Sequence, residues 1–204
     1  MTSSAPGAGR TIGVLAPQGA FARHQAMLES LGAETVAVRR AAHLVGIDGL
    51  VIPGGESTTM SMLLERGDLF APIADAIAGG LPTFGTCAGM ILLASEVLDG
   101  RADQRAFSAI DITVRRNAYG RQVDSFDGTV SLAPELGGAD GPLPASFIRA
   151  PQVVRVGDAV EVLGRADGEP VLVRQSWVMA AAFHPELGVD ARVHRHFLAL
   201  HPGA

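Results

Sequence analysis

Short, almost wholly apolar runs recur along the first half of the chain, each followed by a stretch with helical spacing. This alternation restricts the fold more than any other feature. TIGVLA (residues 11–16), ETVAVR, GLVIPGG and LPTFGT read as strands too uniformly apolar to have one face in water. Between the first two, GAFARHQAMLESLGA places Phe21, Met27, Leu28 and Leu31 on one stripe and ends at Gly32. STTMSMLLERG opens on hydroxyl residues suited to capping and closes on Gly67; LFAPIADAIAGG is a further helix, and AGMILLASEVLDG returns to helix after Cys87. Strands of this kind separated by helices form βαβ units, so a parallel sheet covered on both faces is expected.

The texture changes after Gly100. AFSAIDITVRR, RQVDSF, ASFIRAPQVVRV, AVEVLGR, EPVLVRQ and WVMAAAF read as strands joined by turns such as ADGEP. They are expected to extend the same sheet, partly antiparallel. APELGGADGPLPA is the loosest stretch and reads as a surface loop, and VDARVHRHFLALH as a closing helix. No internal repeat or linker divides the chain, so residues 11–204 are expected to form a single domain after a flexible N-terminus of residues 1–10. That N-terminus lacks an apolar signal-like region, and no apolar run approaches membrane-spanning length.

Composition excludes several chemistries. All 16 basic residues are arginine, and there is no lysine. No side-chain amine is present to form a Schiff base or to serve as a P-loop lysine. A net charge of −5 argues against sequence-independent binding of nucleic acid. A single cysteine cannot close an intrachain disulfide, which fits a reducing compartment and a cytoplasmic location.

That cysteine, Cys87, sits in FGTCAG between an apolar strand and a helix. G-x-C-x-G at such a junction is the sulfur form of the nucleophile elbow. The sharp turn needs small neighbours, and Gly85, Ala88 and Gly89 supply them. The thiol then stands at a helix N-terminus, where free N–H groups favour its anionic form. The competing reading is a buried structural cysteine. A base is available in FHPEL. The residue before a proline is pushed extended, so His184 and Glu186 are expected two apart on a near-strand segment, side chains on one side and about 7 Å apart at Cα. Glu186 then reaches one ring nitrogen of His184 and leaves the other for sulfur, an arrangement of nucleophile, base and orienter. Alone, this pair reads equally as a surface turn. In IPGGES, two glycines at the carboxyl end of a strand can turn N–H groups into a cleft. Gly54 and Gly55, with the N–H of Ala88, are the candidate oxyanion hole.

PGGESTTM, FGTCAGM, RNAYGRQVDSF, FIRAP and FHPEL occur in this order across most of the chain. Together they resemble the glutaminase subunits of pyridoxal 5′-phosphate synthase, a family within the triad (class I) glutamine amidotransferases. The resemblance implies an α/β, flavodoxin-like, three-layer domain with a mostly parallel sheet and an antiparallel extension. It implies hydrolysis of L-glutamine to glutamate and ammonia by Cys87, His184 and Glu186, without a cofactor. It places substrate contacts on Gly55, Glu56, Ser57, Arg116, Ile148 and Arg149. The implied partner is a synthase subunit in a hetero-oligomeric complex, which receives the ammonia and, in that family, carries the carbonyl chemistry on its own lysine; neither nucleic acid nor membrane is expected as a partner. In LAPQGA the chain departs from the family, with Ala16-Pro17 where Gly-Leu is commoner, so Gln18 is assigned no role.

The residue types suit the substrate. An arginine fork matches an α-carboxylate, which makes Arg149 and Arg116 the candidates, with Glu56 facing the α-ammonium. Arg121, Arg155, Arg165 and Arg174 read as surface ion pairs. His194 and His196 do not share a helix face, so with His201 they are not expected to bind metal. A cysteine peptidase or esterase on the same constellation, or a silent docking subunit, are the alternatives. A peptide interior has no carboxylate for Arg149 and Arg116 to hold.

Overall fold

The computed structural model describes residues 5–16, 21–101, 104–116 and 125–200. In the first half, β1 (Thr11–Leu15), α1 (Phe21–Ser30), β2 (Glu34–Val38), β3 (Gly49–Ile52), α2 (Ser57–Arg66), α3 (Phe70–Ala78) and β4 (Thr83–Thr86) alternate as expected. A short helix α4 (Ala88–Leu93) follows Cys87, and then come β5 (Ala94–Leu98), β6 (Ile110–Arg115), β7 (Phe126–Leu132) and β8 (Leu143–Phe147). The chain continues through β9 (Gln152–Val156), β10 (Glu161–Ala166), β11 (Glu169–Gln175) and β12 (Val178–Ala181) to α5 (Arg192–Ala199).

Among the described residues, nine strands form one sheet in the order β2-β1-β3-β4-β12-β11-β10-β7-β8. From β2 to β12 neighbours are parallel, and from β12 to β8 they are antiparallel. The parallel strands β1, β3, β4 and β12 are almost wholly buried, which is why their sequences show no alternation. Period-two alternation within β4 identifies the layers. Phe84 packs against the rings of His24 in α1 and of His194 and Phe197 in α5. Gly85 faces the opposite way, where a Cβ would lie 2.6 Å from Leu93 Cδ1 of α4. Thus α1 and α5 cover one face, and α4, with α2 beside it, covers the other.

Several expectations are corrected. The helix after Cys87 ends at Leu93, and Ala94–Leu98 is a strand. It pairs with β6, and β6 with β9, in a separate three-stranded sheet instead of extending the main one. ASFIRAPQVVRV is two strands in two sheets, β8 and β9, broken at IRAP. The APELGGADGPLPA stretch carries two short 3-10 turns. Between Ala5 and Arg10, the Gly7 N–H donates to the Leu31 carbonyl, and the Arg10 N–H to the Gly7 carbonyl. Pro17, Gln18, Arg121, His201 and most of RNAYGRQVDSF lie outside the described residues. Among the described residues, no helix is long and apolar enough to cross a membrane.

Candidate active site

Three adjacent parallel strands end together at one edge. In register, Ile52 of β3 is opposite Gly85 of β4, and Thr86 of β4 opposite Ala181 of β12. With neighbouring strands about 4.8 Å apart, the residues just beyond them are Gly54, Cys87 and His184, which topology brings together from across 130 residues of sequence. The carboxyl edge of a parallel sheet is where clefts form, and a pocket here is lined by Gly54, Gly55, Glu56, Ser57, Cys87, Ile91, Arg116, Ile148, Arg149 and His184.

Cys87 has φ 51° and ψ −104°, a left-handed conformation costing a non-glycine residue about 1–3 kcal/mol. The turn is held by the Cys87 N–H donating to the Ala181 carbonyl and by close packing behind it. A Cβ on Gly89 would stand 2.1 Å from the Ile52 carbonyl oxygen, and one on Gly85 2.6 Å from the Gly89 carbonyl carbon. Only glycine lets α4 approach β3 and β4 this closely. Cys87 Sγ lies 3.7 Å from the Ile148 carbonyl oxygen, as a weak donor.

His184 follows β12, and its N–H donates to the Ser146 carbonyl at 3.0 Å. That bond reaches β8, at the far edge of the sheet order, so the antiparallel half curls back to the site and delivers Ile148 and Arg149. Instead of a near-strand, Pro185–Leu187 is a 3-10 turn. Glu186 nevertheless reaches His184, with Nδ1 to Oε1 at 2.8 Å, leaving Nε2 for Cys87. Burial pushes the His184 pKa down, but hydrogen bonds with Cys87 and Glu186, and their charges, raise it to about 10. Burial raises the Glu186 pKa, yet the His184 hydrogen bond and the proximity of His24 and His184 hold it below the usual carboxylate range.

Gly54 stands against both groups: a Cβ there would lie 2.5 Å from His184 Cε1 and 3.3 Å from Cys87 Cβ. Gly55 has φ 157°, a backbone setting that glycine tolerates without steric cost. Ala88 is the first residue of α4, where a backbone N–H has no helical partner.

The polar wall is more internally paired than its residue types imply. Glu56, expected to face an ammonium, is the N-cap of α2 and accepts from the N–H groups of Thr58 and Thr59 at 3.0 and 2.7 Å. Burial raises its pKa, but the bonds from Thr59 and Thr58 outweigh this and hold it at about 2. Arg116 donates to Glu56 at 3.0 Å, to Thr58 Oγ1 at 3.0 Å and to Gln104 Oε1 at 2.6 Å. Arg149 is exposed, without an ion pair among the described residues, and has φ 47°. The Ser57 hydroxyl lines the pocket, buried and without a hydrogen-bond partner among the described residues, a group that a polar ligand would satisfy.

Away from the pocket, Arg155 pairs with Asp111, and Arg174 with Glu161, the surface roles expected of them. Arg165 donates to the Gly168 carbonyl instead. His194 points into the core and His196 toward Arg174. His24, Thr86 and Gln104 were not singled out in the sequence. The signal for His24 was its place four residues before Leu28, on the buried stripe of α1.

Residues 14–201 match the SNO glutamine amidotransferase family. Among curated relatives, pyridoxal 5′-phosphate synthase subunit PdxT of Mycobacteroides abscessus is 57% identical over 187 residues, 92% of this chain and 95% of the relative. The protein of the same name from Corynebacterium jeikeium is 56% identical, over 93% of this chain and 95% of its own. A crystal structure described as a glutamine amidotransferase superposes with a TM-score of 0.85 at 44% identity, covering 93% of this chain and 97% of that one. PurLQS from Thermotoga maritima, at 17% identity and a TM-score of 0.67 over 93% and 97% of the two chains, shares the fold.

Proposed function

The chain belongs to the SNO glutamine amidotransferase family, and from that premise we propose that it hydrolyses L-glutamine to L-glutamate and ammonia, using Cys87, His184 and Glu186. The ammonia passes to a synthase subunit that makes pyridoxal 5′-phosphate, in a complex placed in the cytoplasm. The observation that carries this reading is His184, bonded through Nδ1 to buried Glu186 while its other nitrogen is left to the strained elbow cysteine.

The Cys87 thiolate adds to the side-chain carbonyl of glutamine, and backbone N–H groups of the Gly54-Gly55 turn and Ala88 hold the oxyanion. His184, which keeps two ring protons at neutral pH because its pKa is raised to about 10, gives the Nε2 proton to the leaving nitrogen. The C–N bond breaks, ammonia departs and a γ-glutamyl thioester remains. Water then adds to the thioester as His184 takes its proton. The C–S bond breaks, releasing glutamate and restoring the thiolate. Arg149 holds the α-carboxylate, while Ser57 and Glu56, the latter braced by Arg116, face the α-amino end. The test is labelling by a γ-glutamyl diazo-ketone: modification located on Cys87 supports the reading, and modification elsewhere or none opposes it.

Arg149→Ala is expected to act on binding. A hydrogen-bonded charge contact is worth about 1.5–3 kcal/mol, so KM should rise roughly 10- to 150-fold with kcat little changed. Steady-state kinetics separate this from a docking role, in which KM for glutamine stays at the parental value and affinity for the synthase falls.

Turnover should also depend on the partner. The Gly54-Gly55 peptide can rotate at low steric cost, and loss of one oxyanion donor costs about 10²–10³ in kcat. The isolated chain is expected to be slower by about that factor than the chain in complex. By linkage, glutamine should tighten the complex of a Cys87→Ala chain. Equal turnover with and without the purified synthase would remove the gate and leave the triad untouched.

A further inference from the structure

The second oxygen of Glu186 faces a buried cluster that the proposed reaction does not use. His24 of α1, Thr86 at the end of β4 and His194 of α5 are all fully buried. His24 Nε2 lies 3.3 Å from Glu186 Oε2 and 3.2 Å from Thr86 Oγ1. His24 Nδ1 lies 3.1 Å from His194 Nε2. We infer that His24, its tautomer set by His194, is a positioning residue that fixes the Glu186 carboxylate and through it the His184 ring. The inference rests on the glutaminase reading above.

One proton arrangement satisfies the cluster. Glu186 Oε1 is committed to His184, while Oε2 is buried with no hydrogen bond of good geometry among the described residues. The nearest nitrogen, His24 Nε2, lies between Glu186 Oε2 and the Thr86 hydroxyl; a proton there faces two oxygens that can accept it, whereas a bare lone pair would face a carboxylate. In a neutral ring Nδ1 is then an acceptor, and His194 must donate to it from Nε2. This leaves His194 Nδ1 as a lone pair, and that atom has no hydrogen-bond partner among the described residues. The reverse arrangement would give the Nε2 lone pair to the Thr86 hydroxyl, but it would strand an N–H at His194 Nδ1 and leave Glu186 Oε2 facing a lone pair with no donor; burial makes both costly.

The rings are neutral for a physical reason. Burial, the largest influence, pushes the His24 pKa down, with Glu186 opposing and His184 reinforcing, to about 4. Burial and the neighbouring His24 push His194 to about 3, against Glu186. A neutral donor steers Glu186 without competing for its charge, which stays available to the His184 imidazolium. In metal sites the partners behind a ligating group act in this way, aligning a ring by holding its carboxylate.

The experiment compares glutamate release in complex with the synthase subunit for the parental chain, His24→Leu, His24→Gln and His24→Leu/His194→Leu, with thermal unfolding of each. His24→Leu should lower kcat about 10- to 100-fold while KM moves less than about threefold. His24→Gln, whose amide can present an N–H where Nε2 stood, should recover most of that loss. The double variant removes the stranded polar groups and should stay slow even where its unfolding temperature returns to the parental value. A parental kcat in His24→Leu, or a kcat that recovers with stability in the double variant, overturns the inference and leaves the cluster as packing between α1 and α5. Should His24→Leu fail to fold, His24→Asn, which keeps reach to His194 but not to Glu186, takes its place with the same two outcomes. Ring-nitrogen NMR of His184 in the free chain gives a readout independent of turnover: a shifted Nδ1–H signal in the Leu or Asn variant supports the inference, and an unchanged one overturns it. A parental complex that releases no glutamate would instead refute the glutaminase reading.

Discussion

Cys87→Ala is expected to lower glutamate release by at least about 10⁴-fold, because loss of a nucleophile leaves only the binding and oxyanion contributions of a triad site. The fold should survive. The replaced atom is one sulfur, which bonds weakly to the Ile148 carbonyl and to His184, while the turn is held by Cys87 N–H, by Gly85 and by Gly89. Alanine at φ 51° keeps the same backbone strain that cysteine bears. A second readout is the His184 ring. Its pKa is raised against burial partly by the hydrogen bond and charge of Cys87, so removal of the sulfur should bring it down from about 10, seen by NMR titration. A raised folded-state pKa contributes stability that is complete below the ordinary value of 6.5 and lost as pH rises through about 10. Cys87→Ala should therefore lose part of that contribution, and at a lower pH. Near-parental turnover in the purified variant would show that the nucleophile lies elsewhere.

Glu186→Gln should lower kcat by about 10³- to 10⁴-fold with little change in KM, since an amide of the same shape no longer holds the proton on His184 Nδ1. The effect on stability runs opposite in pH to that of His184. The Glu186 pKa lies below its unfolded value, so its charge contributes stability above the ordinary carboxylate range, and this is lost as pH falls through the depressed value. Glu186→Gln should flatten the acid limb of a stability-against-pH curve and, because Glu186 also helps to raise the His184 pKa, move the alkaline limb to lower pH. An unchanged kcat with a parental pH profile would remove Glu186 from any orienting role.

The parallel half of the fold was legible because a strand buried on both faces has nowhere to place polar residues. Apolar runs such as GLVI and VMAA therefore announce themselves. Much of the candidate site was legible for a similar reason, since an elbow cysteine needs glycines beside it and a histidine two residues from a carboxylate can reach it locally. The second half was not. Ala94–Leu98 continues an apolar helical pattern, and its pairing with β6 makes it a strand. Nothing local records that IRAP is a break between two sheets.

The sequence by itself determined the family, the elbow, the His184-Glu186 pair and the absence of lysine chemistry, because each is written in neighbouring residues or in composition. Only the tertiary structure decided what meets what. The adjacency of β3, β4 and β12 brings Gly54 against Cys87 and His184. Arg116 braces Glu56, and the packing of α1 and α5 over Phe84 puts two neutral histidines behind Glu186. These contacts join residues up to 170 positions apart, and no local periodicity or spacing encodes a partner at that distance.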